Sequence, residues 1–530
     1  MRQALRSYGR KAVNPKPSQA DVYPFASPTK GLVTNQNLSK APREAAQVLE
    51  NWFPTQTGIQ LRGGAALFAT IGTGPVTAMW EYVSGGVEKL FAADAANIFD
   101  ITAPADPEVA PTAEITGLSG GAWTFKQFET SGGDFLIGVN GADTPRQFDG
   151  TTWSSSTLTG SGLTPSNLSH VWAFKSRLFF IESGTMKFWY LGAGAITGTA
   201  TAFSLQGVFS KGGSLLFGAT WSLDAGDGVD DLLVVVSTLG EVAVYQGTDP
   251  SSDFRLVGRY QIADPMGKDA HLSVGADLLI LTSEGIIPMS QVLQKDPASL
   301  SLSAVTFKIE PTWKVAVRDR GTLPWSITKW DLRNKVIIGM PSPGLGVDER
   351  CLVANAETGA WCEFTGTPWD MRCQTVLEGV HYAGGATGKI YQTDVGGNDA
   401  GASYTCVYVG HNDHLKRRGP VKSINLARAT FKATRAFVAK VSASVNYAIT
   451  LPAAPSSVSD STEDAWDEGL WDEAVWDSSG TATVTSRWTA ISKAGIVAAP
   501  QVQVTCGITP KPDAELMSID FMFETGAVVV

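Results

Sequence analysis

From about residue 60 to residue 400 the chain alternates short apolar runs with tight polar turns. The runs are rich in Val, Ile, Phe, Tyr and Trp, and paired glycines or Asp and Asn beside Gly break them, as in strands joined by hairpins. Seven clusters share one layout: an apolar strand, a Gly-containing turn and a second apolar strand. They start at Val76, Trp123, His170, Asp230, His271, Ile327 and Val376, at steps of 47, 47, 60, 41, 56 and 49 residues. A recurrence near 50 with three or four strands per unit predicts propeller blades, whereas stacked sandwiches give no reason for a blade-length repeat. One unit can be split to close the ring, so the pattern fits an all-β, six- or seven-bladed β-propeller over residues 61–400.

The flanks read differently. Residues 1–60 are expected to form an extended arm ending in one short helix, Ala41 to Trp52 (APREAAQVLENW), stopped by Pro54. No further helix is expected. Residues 401–530 alternate apolar and polar positions and predict a separate C-terminal, β-sandwich-like domain. It is interrupted by an acidic excursion, residues 460–477, which carries eight acids and no base. There Trp466, Trp471 and Trp476 are each followed by an aspartate, Asp467, Asp472 and Asp477. A spacing of five switches faces on a strand and turns about 140° on a helix, so neither gives one apolar stripe. A long hairpin with its indoles tucked in and its carboxylates wet is expected.

Composition narrows the class. With 55 glycines in 530 residues, 43% hydrophobic and only 17% charged, the chain is neither an acidic disordered tail nor a coiled coil. A formal charge of -10 argues against wholesale wrapping of nucleic acid. That charge is uneven. Residues 1–44 hold eight basic side chains against Asp21 and Glu44, a net of +6 that leaves -16 for the remainder. With Pro15, Pro17, Pro24, Pro28 and Pro42 the segment reads as an arm whose Arg6, Arg10 and Lys11 suit an acidic surface on a neighbouring subunit. A basic, polar start and the lack of any long apolar run predict synthesis in the cytoplasm and no membrane insertion. Cys351, Cys362, Cys373, Cys406 and Cys506 are odd in number and without CxxC spacing, so they read as buried hydrophobes.

Local signatures of chemistry are missing. His411 and His414 in HNDHLKRR are three apart, but only Asp413 is near to complete a metal site, and a polar turn is the better reading. DAGDGVDD, from Asp224 to Asp231, misses the alternating spacing of a calcium loop and reads as a hairpin turn. Gly198 is one residue too far from Gly192 and Gly194 for a dinucleotide fingerprint. In FDGTTW, Asp149 and Gly150 are adjacent, which breaks the turn pattern of sialidase blades. No G-x-S-x-G, H-E-x-x-H or Walker loop occurs, and no carboxylate pair stands out. The expectation is a protein with no catalytic residue, cofactor or metal.

ENWFPTQTGIQLRGGAALFATIG, Glu50 to Gly72, resembles the N-terminal signature of tail proteins of short-tailed bacteriophages, an Asn-aromatic pair and a Gly before a Leu-(Lys/Arg)-x-(Pro/Gly)-Gly turn. The matching positions are Asn51, Trp52, Pro54, Gly58, Leu61, Arg62 and Gly63, with Gly63-Gly64 in place of the commoner Arg-Pro. Gly228 to Ala270, Ala276 to Ser290, ISKAGIVAAPQVQV, FMFETGAVV and the Trp-Asp repeat are similar to stretches of related phage structural proteins. The resemblance implies a tail nozzle or hub, or a packaged-DNA stabilising plug. Such a subunit forms a ring of copies of itself, a hexamer by analogy, in the virion tail. The ring would sit below the portal and the head-tail adaptor ring, continue the channel for packaged DNA and help retain and release the genome; tail fibres or spikes are further partners. The alternative is a receptor-binding or polysaccharide-degrading tail component, which would more naturally be a trimer with a carboxylate-lined groove.

Overall fold

A computed structural model describes residues 20–36, 41–222, 231–435, 437–457, 483–507 and 511–526. Within them, seven small antiparallel sheets follow one another along the chain. The first holds Ala78–Ser84, Val87–Ala93, Ile98–Asp100 and Ala113–Ile115; the second Thr124–Thr130, Gly133–Val139, Arg146–Phe148 and Trp153–Ser155. The third holds Leu168–Phe174, Arg177–Glu182, Lys187–Tyr190 and Thr201–Ser204; the fourth Leu215–Trp221, Leu232–Ser237, Glu241–Gln246 and Arg255–Gln261. The fifth has three strands, His271–Val274, Asp277–Thr282 and Gly285–Pro288. The sixth contains Ser326–Trp330, Lys335–Gly339, Arg350–Asn355 and Trp361–Thr365, and the seventh Cys373–Leu377, Val380–Gly384 and Lys389–Thr393.

The fourth strand of the seventh sheet comes from the other end of the chain. Ala65–Thr70 runs antiparallel to Lys389–Thr393, with Lys389 opposite Thr70 and Thr393 opposite Ala65. The first strand of the seventh sheet packs against that of the first sheet, so the sheets close into a ring. This is a β-propeller, and the chain is all-β, as the blade-length repeat predicts.

Burial explains why the middle strands lack alternation. Leu233, Val234, Val235 and Val236 are all 0% exposed because both faces of their sheet are covered. Val234 and Val236 join Ile280 and Ile287 of the fifth sheet, while Leu233 and Val235 join Phe179 and Phe188 of the third. Phe217 stacks on His271 at 4.4 Å and bridges the fourth and fifth sheets.

The expected helix at Ala41 to Trp52 is instead extended: Ala46–Glu50 and Trp52–Pro54 are strands. Its helix-forming residues are overruled by tertiary pairing, since Ala46–Glu50 lies antiparallel to Tyr404–Gly410, and Asn51 sits at φ 61, which ends any helix. A helix forms where none was expected, Glu310–Arg320, between the fifth and sixth sheets. It buries Trp313, Ala316 and Arg320, and a single turn, Met289–Val292, precedes it.

Strand pairing also crosses both boundaries expected from the sequence, at residues 60/61 and 400/401. Glu50 pairs in parallel with Glu363, so the sixth sheet continues through Ala46–Glu50, Tyr404–Gly410, Ala498–Cys506 and Ala439–Val445. A six-stranded sheet faces the C-terminal half of this one: Trp52–Pro54, Ile59–Leu61, Glu515–Thr525, Lys422–Ala433 and Thr483–Gly495, with Asp21–Ala26 added on Glu515–Thr525. The strands Asp21–Ala26, Ala46–Glu50, Trp52–Pro54 and Ile59–Leu61 therefore belong to the C-terminal layers, where Tyr23, Phe25, Leu49 and Trp52 bury their apolar side chains. The arm residues Arg6, Arg10 and Lys11, the excursion residues Trp466, Asp467, Trp471, Asp472, Trp476 and Asp477, and Asp224 to Asp230 lie outside the described residues.

Candidate functional site

The signature residues converge on one buried joint. Arg62 follows strand Ile59–Leu61 and enters the space between the propeller and the C-terminal sheets with its side chain 0% exposed. All five of its N–H groups find acceptors. Nε donates to Asn51 Oδ1 at 2.7 Å, one terminal nitrogen to Gly63 O and Asp399 Oδ1, and the other to Thr365 O and Asp399 Oδ2. The Tyr404 ring covers the guanidinium at 3.7 Å and Trp369 lies 4.8 Å away. Asn51 Nδ2 donates to Thr365 Oγ1 and Thr405 O, both at 2.8 Å, and its Oδ1 also accepts from Thr365 N. The left-handed backbone at Asn51 is what aims this amide inward.

A second ion pair lies beside the first. Gly63 N donates to Asp394 Oδ1 at 2.6 Å, and Lys335 Nζ reaches Asp394 Oδ2 at 2.7 Å among Phe53, Trp330 and Phe364. Burial alone would raise the Asp394 carboxyl, but Lys335, then Lys511, and the hydrogen bonds from Lys335 and Gly63 hold it well below the usual range. The glycines are required by close approach: a Cβ at Gly63 would meet Asp394 C at 2.5 Å, and one at Gly64 would meet Asn398 O at 1.9 Å. Trp52 is fully buried, Leu61 is 2% exposed, Pro54 O accepts from Asn355 Nδ2, and Gly58 closes the hairpin onto Thr55. The joint holds no water-facing reactive group. Its chemistry is mechanical: it ties the ring-closing segment to the sixth sheet and the C-terminal layer.

The remaining sequence candidates separate. Asp149 accepts from Thr151 N, Thr152 N and Thr152 Oγ1, so FDGTTW is a self-bonded turn, and the backbone hydrogen bonds from Thr152 and Thr151 lower its carboxyl. His411 is buried and His414 half-buried, and among the described residues no group of three His, Cys, Asp or Glu side chains is placed to hold a metal. The five cysteines are buried and free.

The structure also brings together a carboxylate pair that the sequence did not suggest. Glu50 and Glu363 stand opposite on neighbouring parallel strands, on the same face, beside a cavity of about 420 Å³ under helix Glu310–Arg320. Glu363 is held by Arg350 at 3.1 Å. Burial, then the neighbouring Glu363, pushes the Glu50 carboxyl up. Residues 313 positions apart carry no local sign of such a meeting. A larger cavity of about 730 Å³ lies along the first strands of the second to fifth sheets, lined by His170, His271, Lys126 and Asp269. Burial, then His271 and Lys268, push His170 down to about 3. Among the described residues no helix is long and apolar enough to cross a membrane.

No family model matches the chain, and no curated protein does. Solved structures similar to it include the following three. The complex of BBS1N with ARL6DN is 13% identical at a TM-score of 0.27, covering 40% of this chain and 64%, less than two thirds, of that one. YCF48 bound to D1 peptide is 11% identical at 0.36, covering 67% and 99%. The β-propeller domain of Cps50 (Swd1) from Myceliophteria thermophila is 12% identical at 0.39, covering 62% and 99%. At these TM-scores the likeness carries no argument about function.

Proposed function

We propose that the chain is a structural virion protein that forms a ring in the tail of a short-tailed bacteriophage, continues the DNA channel below portal and adaptor, and helps retain and release the genome. One observation carries the reading: Asn51, Trp52, Pro54, Gly58, Leu61, Arg62 and Gly63, which bear the resemblance, all serve the joint between propeller and C-terminal sheets. A signature devoted to rigidity suits a channel wall. An eight-stranded sheet runs through both parts. A ring also needs two unlike surfaces on each subunit, which a propeller joined to a two-layered sheet supplies. The partners are further copies of the chain, the adaptor ring, fibres or spikes, and DNA sliding through the lumen. Electron microscopy of the purified protein and of whole particles tests this. Rings of about six copies at the tail tip are expected; trimers or isolated monomers on particles would sink it.

The alternative, a polysaccharide-degrading tail component, is favoured by one feature, the Glu50–Glu363 pair. A carboxyl raised by burial beside a second carboxyl held by an arginine resembles the paired arrangement a glycosidase uses for acid and base. Loss of host polysaccharide on incubation with wild-type protein but not with Glu50→Gln would establish it.

A further inference from the structure

Where strand Tyr404–Gly410 runs out into HNDHLKRR, the loop encloses a cavity of about 310 Å³. In a chain of net charge -10 its wall is basic, with Arg43, Lys416 and Arg418 against Asp413. Asp413 is already engaged: Oδ2 accepts from the Tyr23 hydroxyl at 2.9 Å and pairs with Arg43 Nε at 3.2 Å, and Oδ1 accepts from Leu415 N. Lys416 and Arg418 make no ion pair among the described residues. His411 is 7% exposed, and neither of its ring nitrogens makes a well-formed hydrogen bond. Burial pushes it down to about 4, which the nearby backbone of Val33 and Ala46 only partly offsets, so at neutral pH it offers one donor and one acceptor. Asn412 Oδ1 and His414 Nδ1 are also buried without partners. Phe25 and Tyr408 supply apolar wall.

We propose that this cavity binds an acidic peptide bearing aromatic side chains, and that its occupant is the segment 460–477 of a second copy of the chain. The segment has eight acids, no base and three tryptophans, complementary to the cavity in both charge and apolar content. Both described ends of the segment lie away from the cavity of their own copy. Ser457 lies against Ser403 and Gly507, at the end of Tyr404–Gly410 remote from the cavity. Thr483 stands opposite Ala433, at the far end of Lys422–Ala433, whose Lys422 Nζ donates to Arg417 O beside the cavity. At about 3.3 Å per residue along these strands the two described ends lie about 26 and 36 Å from the cavity. A contact from one subunit's segment to the next subunit's cavity is heterologous, the kind that closes rings, and to that extent the inference rests on the ring reading.

The test is binding of a fluorescently labelled peptide of sequence 460–477 to the full-length chain, read by anisotropy. Saturable binding is expected that weakens about tenfold or more in Lys416→Glu/Arg418→Glu, weakens with salt, and is unchanged in Lys440→Glu, a charge reversal elsewhere on the C-terminal sheet. The first two positions are exposed, so the variants should fold, and unchanged circular dichroism checks this. No binding, or equal loss in all variants, overturns the proposal. Particle images of wild-type protein score ring formation separately, so a failed ring and a failed cavity leave different records.

Discussion

At the scale of single residues, Arg62 is the clearest case of a charge whose burial is fully compensated. Removing one partner strands the other, so Arg62→Met or Asp399→Ala should each cost about 3–5 kcal/mol, whereas changing both together should cost less than their sum. Denaturant unfolding of the single and double variants checks this. Gly64→Ala should lower the unfolding free energy by about 1–3 kcal/mol, because a Cβ there meets the Asn398 carbonyl. Gly74→Ala, with nothing within 4 Å of its Cβ, is the neutral control. The sequence singled out these positions through resemblance alone. That Asn51 and Arg62 are hydrogen-bonded to each other follows from a turn in the chain, but Asp399 and Asp394 come from more than 330 residues away, and no local pattern announces them.

At the scale of elements, the repeat was legible because each blade is a set of local hairpins, and hairpins write their apolar runs and Gly turns into consecutive residues. Ala46–Glu50 was not legible: AAQVLE is a good helix former locally and becomes a strand only because Tyr404–Gly410 and Glu363 are there to pair with it. The same blindness hid the Glu50–Glu363 pair. Since burial and Glu363 raise the Glu50 carboxyl above its unfolded value, its ionisation costs stability as pH rises through the folded pKa. Glu50→Gln should therefore raise the thermal midpoint at pH 7 and leave it unchanged near pH 3. A scan of melting temperature against pH for the two proteins decides it.

At the scale of the whole molecule, three buried imidazoles set an acid limit. Burial is the leading cause at each, holding His170 and His381 down to about 3 and His411 to about 4, below the unfolded value of about 6.5. The unfolded chain takes up those protons first, so stability is complete above about pH 6.5 and falls as pH drops from there towards 3. His381, bonded to Thr393 Oγ1 and Gln374 Oε1, is the one to replace: His381→Gln should flatten the slope across that window in a pH series of melts. The ring closure has a consequence in time. Ala65–Thr70 is made about 320 residues before Lys389–Thr393, and Asp21 waits for Phe523. At about 5–20 residues per second, the closing strand stays unpaired on the ribosome for roughly 16–64 s. An exposed β edge of that duration invites pairing with the wrong chain, so the yield of soluble protein should be governed by translation speed and chaperone supply during synthesis, and not by the stability of the finished ring.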